Sequence, residues 1–276
     1  MGGLSDLLAL VGAVAVALAL DVGTARRGFT PPGFASPLRR ALALTLVAGF
    51  FYLTLFLPLA AAPLAEPSAP AAPEEPSLLA LFSVQGMIVG VVVGWFLLAF
   101  AGGRDLRATF ARQLGLVSRR PGEDVLLGLG AVGVGWILTL VTAFAVATFV
   151  VLLGKEDLLP KEMPEPILWI AGQSVLLRFG LSLAAGVFEE IFFRGLLQPR
   201  MGIALSTGLF VLAHAGYQNP FMLVGLTALS LFLAALVRWR QSLWPAIVAH
   251  FGFDLWQLVV VIPTALRFMP QAPGVQ

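Results

Sequence analysis

The chain is built around long apolar stretches that recur along its length, beginning with LSDLLALVGAVAVALAL at residues 4–20. A bilayer's hydrocarbon core is about 30 Å thick and takes roughly 20 helical residues to cross. Stretches of that kind fall near residues 4–20, 38–62, 78–101, 124–153, 167–198, 203–217, 220–237 and 243–263. Composition agrees, with 59% hydrophobic and 12% charged residues and a mean hydropathy of +0.93, far from a soluble average. The expectation is an all-α, polytopic transmembrane bundle of about eight spans. The first span lacks a basic segment before it, Asp6 being the one charge there, and reads as an anchor rather than a secretion signal.

Between the spans, APLAEPSAPAAPEEPS at 62–77 is too rich in proline to propagate a helix and reads as a spacer. RDLRATFARQLGLVSRRPGED at 104–124 is amphipathic and suits the membrane interface. The chain therefore divides into N-terminal spans with an interfacial linker, 1–123, and a core, 124–276. Arginines gather after spans one (Arg26, Arg27, Arg39, Arg40), three (Arg104, Arg107, Arg112, Arg119, Arg120) and seven (Arg238, Arg240). By the positive-inside rule those loops face the cytoplasm and both termini face outward. No basic, aromatic-rich surface points to nucleic acid.

Few ionisable groups lie within the spans: Arg178, Glu189, Glu190, Arg194, His214, His250 and Asp254, the two histidines being the chain's complement. Counted from the cytoplasmic side, Glu189 lies roughly 14 Å deep, His214 roughly 16 Å, His250 roughly 12 Å and Asp254 roughly 17 Å. A shared depth on three helices suggests one polar cavity. Glu190 and Arg194 are spaced for an i, i+4 ion pair, and so are His250 and Asp254. Glu189 points about 100° away from Glu190, and an intramembrane carboxylate is a functional-site hypothesis by default. Arg178 reads as a helix irregularity or a snorkelling side chain, with no assigned role. Without cysteine, catalysis would rest on oxygen and imidazole groups.

Taken in order, EEIFFR (189–194), FVLAH (210–214) and HFGFD (250–254) resemble the EExxxR, FxxxH and HxxxN/D motifs of the CAAX protease and bacteriocin-processing (CPBP, or Abi) family of intramembrane peptidases. The resemblance covers residues 165–263; the first four spans carry no such signature. It implies hydrolysis of peptide bonds in membrane-associated or lipid-anchored protein substrates. By the family pattern, Glu189 and His214 would polarise a water, Glu190 and Arg194 would hold the helix and field of Glu189, and His250 with Asp254 would face the oxyanion. Cofactor dependence stays open: either none is required, or a divalent metal such as zinc sits among Glu189, His214, His250 and Asp254, all of them legitimate ligand types. Yet the compact HExxH spacing is missing. A proton- or ion-coupled transporter would use the same cluster, and a catalytically silent scaffold would retain the same fold. High Ala, Gly, Leu and Arg usage suggests a bacterial inner membrane, with the site toward the cytoplasm.

Overall fold

A computed structural model describes residues 2–26, 31–61, 78–103, 105–160, 163–217 and 219–268. Among these residues the regular structure is helical, without a strand. The helices are α1 (Gly2–Arg26), α2 (Pro37–Ala61), α3 (Leu78–Phe100), α4 (Leu106–Gln113), α5 (Pro121–Leu152) and α6 (Glu165–Ala171). They continue with α7 (residues 175–201), α8 (Ile203–Ala213), α9 (Pro220–Arg240) and α10 (Trp244–Phe268). Proline occupies the first turn of α2, α5, α9 and the start of α10, where its missing N–H has no intrahelical partner to lose. The spacer at 62–77 lies outside the described residues, as do Arg27 and Arg104.

Six helices, α1, α2, α3, α5, α9 and α10, are long and apolar enough to cross a membrane. The other two expected spans take a different form. The stretch 167–198 is divided between α6 and α7, because Ser174 accepts a hydrogen bond from the Leu177 N–H at 3.3 Å and starts a new helix. The stretch 203–217 stops early, since α8 ends at Ala213 and a 3₁₀ turn follows at Ala215–Tyr217. Its helix is roughly 16 Å long. The cause is local: the His214 N–H turns to Val211 O at 3.0 Å, and the His214 ring Nδ1 takes Phe210 O at 2.8 Å, a carbonyl the helix would otherwise have used.

One apolar core joins α1, α2 and α3 to α7 and α8, and so runs across the division at residue 123. Leu20, Val47, Phe51 and Trp95 pack in it with Phe192, Leu196 and Phe210. Within it an aromatic chain passes from Phe50 and Phe51 to Phe192, Phe193 and Phe210, ending against the rings of His214 and His250. A second cluster, including Ala131, Leu229, Leu233 and Phe253, binds α5, α9 and α10.

Small residues allow close helix crossings, as in other membrane bundles. A Cβ on Gly186 would lie 2.7 Å from the Phe251 backbone nitrogen, so α7 and α10 touch backbone to backbone there. Gly128 does the same for α5 and α10, its Cβ position being 2.8 Å from Pro245 O. At the loop end, Arg240 donates to Asp124 at 2.8 Å and Ser118 donates to the same carboxylate at 2.7 Å. That joins α9 to α5 and to the linker. Arg40 and Asp21 pair α2 with α1.

Candidate active site

The two glutamates lie on a π-helical stretch of α7, Ala185–Leu197, a form frequent at functional sites. They diverge as the sequence implies. Glu190 turns inward, fully buried, and accepts Arg194 Nη1 at 2.7 Å. Arg194 is 2% exposed; it also donates to Ser230 Oγ on α9 at 3.0 Å and lies over the Phe210 ring at 4.4 Å. Ser230 in turn donates to Thr207 Oγ1 on α8 at 3.3 Å. The ion pair thus links α7, α8 and α9.

Glu190 has a second partner. Its Oε1 accepts from His250 Nδ1 on α10 at 2.8 Å, and His250 Nε2 lies 3.4 Å from Asp254 Oδ2. His250 is therefore held between two carboxylates, one per ring nitrogen, which fixes its plane. The sequence spacing pairs His250 with Asp254; the geometry gives Glu190 the shorter contact.

Glu189 turns the other way, toward a cavity of about 510 Å³ lined also by His214, His250 and Asp254. Four of the six residues singled out from sequence line this space. Glu190 and Arg194 sit behind it. The rest of the lining is largely apolar, including Trp136, Ile167, Phe221 and Phe253. Within the cavity Glu189 Oε1 accepts from Gln85 Nε2 at 3.1 Å, while its Oε2 is buried without a hydrogen-bond partner. A buried acceptor left unmade is costly, so this oxygen is poised for a donor that enters with water or substrate.

Among the described residues no three His, Asp or Glu side chains group as a metal site. Both His250 nitrogens face carboxylates, and His214 Nδ1 is engaged by Phe210 O. As arranged, these donors do not converge on a resident metal.

Two contributors, Gln85 and Ser230, escaped the sequence reading, and Arg178, read there as a helix irregularity or a snorkelling side chain, gains a specific contact. Gln85 comes from α3, in a span without a motif, and its one signal is being the single amide within Leu78–Phe100. Ser230 reads as a small packing residue. Arg178 donates from Nη1 to Leu258 O at 2.8 Å, in the π turn Gln257–Val261 of α10. There the Ile262 N–H goes to Gln257 O, and Pro263, five residues beyond Leu258, has no N–H to give. Arg178 satisfies the carbonyl so orphaned.

Fold and site together define a polytopic helical membrane protein with a carboxylate–imidazole centre inside its bundle. Residues 171–256, which contain all six motif residues, match the family described as Type II CAAX prenyl endopeptidase Rce1-like. The chain is also 32% identical over 75 residues to a Bacillus subtilis (strain 168) protein, uncharacterized protein YpbD. That similarity covers 27% of this chain and 40% of the relative's length. No solved structure matches the chain.

Proposed function

We propose that the chain is an intramembrane endopeptidase that cleaves membrane-associated or lipid-anchored proteins with a water activated by Glu189. The observation that carries this reading is the unpartnered Oε2 of Glu189, buried beside His214, His250 and Asp254 in one largely apolar cavity. Peptide hydrolysis needs a base for the water, charge stabilisation at the oxyanion and a proton for the departing amine. Glu189 is the base, taking the water's proton as oxygen attacks the scissile carbonyl. His214, on the same cavity wall, shares the polarisation of that water. The paired His250 and Asp254 face the oxyanion, where whichever of them carries the proton donates its N–H or O–H to it. Glu190, held by Arg194, keeps His250 turned toward the cavity. As the tetrahedral intermediate collapses, protonated Glu189 returns its proton to the leaving nitrogen.

Apolar walls suit a substrate segment delivered from the bilayer, since they exclude bulk water and strengthen each electrostatic contact inside. The test is a comparison of cleaved membrane-protein termini in cells carrying the wild type or Glu189→Gln. Termini that vanish with the variant support the reading. Identical sets from both overturn it.

A further inference from the structure

Gln85 stands apart from the other groups around Glu189. It belongs to α3, outside the matched segment 171–256, yet it lines the cavity with the motif residues. Its amide is used on one side only. Nε2 donates to Glu189 Oε1 at 3.1 Å, whereas Oε1 is buried with no hydrogen-bond partner. An amide in hydrocarbon has a strong demand for both bonds.

Glu189 shows the mirror condition, with Oε1 taken by Gln85 and Oε2 unmade. This hydrogen-bonded pair of cavity-lining side chains thus carries two unmade acceptors, one a carboxylate oxygen and one an amide oxygen. Water carries two O–H donors and suits such a pair. A water donating to both has its lone pairs turned away from both, toward whatever occupies the cavity.

We propose that Gln85 is a positioning residue for the attacking water. Its nitrogen fixes the Glu189 carboxylate with Oε2 facing the cavity, and its oxygen accepts the water's second hydrogen. The proton balance stays simple: one water proton passes to Glu189, the other remains on the attacking oxygen and keeps its bond to Gln85. This role rests on the reading of Glu189 as the base. It also gives the N-terminal spans a part in the chemistry, since α3 is held against α7 by the Trp95, Phe96 and Phe192 core.

The test is a double-mutant cycle in lipid nanodiscs on a membrane-protein substrate identified by the termini comparison, using the wild type, Gln85→Leu, Glu189→Gln and the double variant. Gln85→Leu should lower kcat about tenfold and leave KM within about twofold, because orientation is lost and substrate binding is not. In the Glu189→Gln background the same change should cost less than about twofold, since no base remains to be oriented. A purely structural glutamine would instead cost the same factor in both backgrounds. That result, or a Gln85→Leu variant with wild-type kcat beside an inactive Glu189→Gln, overturns the role while leaving the peptidase reading in place. A Glu189→Gln variant as active as the wild type overturns both.

Discussion

Arg194→Met removes a cation at nearly constant volume from one of the most buried points of the bundle. Arg194 is 2% exposed and Glu190 is 0% exposed, and their 2.7 Å contact is inaccessible to solvent. With the guanidinium gone, Glu190 keeps His250 as its partner but loses its fixed positive charge, and Ser230 loses its donor. Breaking a buried ion pair from one side costs about 3–5 kcal/mol, because the remaining charge is stranded. At roughly 2–4 °C per kcal/mol for a large domain, the unfolding midpoint should fall by roughly 6–20 °C. Tryptophan fluorescence during thermal unfolding in detergent reads this directly. The companion Glu190→Gln/Arg194→Met removes both charges and should recover more than half of the loss. If Arg194→Met moves the midpoint by less than about 3 °C, or the double variant is no better than the single, the pair is not the electrostatic clamp described here.

The helix crossing that brings the glutamates to His250 makes a separate prediction: Gly186→Val forces a Cβ against Phe251 backbone atoms within 3 Å. It should cost about 1–3 kcal/mol and lower kcat, measured by unfolding midpoint and turnover, whereas Gly180→Ala, with nothing within 4 Å of its Cβ position, should be neutral. At Asp254, Asn preserves a polar contact to His250 Nε2 and should retain substantial activity, while Ala should lose most of it, with added zinc restoring neither loss; steady-state cleavage assays decide. Arg178→Met should lower the unfolding midpoint by the equivalent of about 1–3 kcal/mol by leaving Leu258 O unsatisfied, and an unchanged midpoint would show that another donor replaces it.

Apolar runs made the helical bundle legible, because span length is set by bilayer thickness rather than by tertiary detail. That Glu189, His214, His250 and Asp254 would line one space was equally legible, since helical rise converts residue number into height. Rotation about each helix was less so. Glu190 and Asp254 take different nitrogens of His250, and it is the close packing of α7 on α10 at Gly186 that brings Glu190, from another helix, to the imidazole. The early end of α8 escaped because FVLAH is apolar up to the histidine, and the event that stops the helix is a ring nitrogen capturing a carbonyl. Gln85 was hidden for a different reason: a lone amide in an apolar span has no periodicity and no partner nearby in sequence, and its contact lies 104 residues away.

The account turns on Glu189 as the base that activates water. Purified wild type and Glu189→Gln, reconstituted in lipid and given the same membrane-protein substrate in ¹⁸O-labelled water, test it most directly. The wild type should place one ¹⁸O in the new carboxyl terminus in a single turnover, and Glu189→Gln should slow that step by at least about a hundredfold while unfolding at a similar temperature. Incorporation at an undiminished rate in the variant would contradict the account.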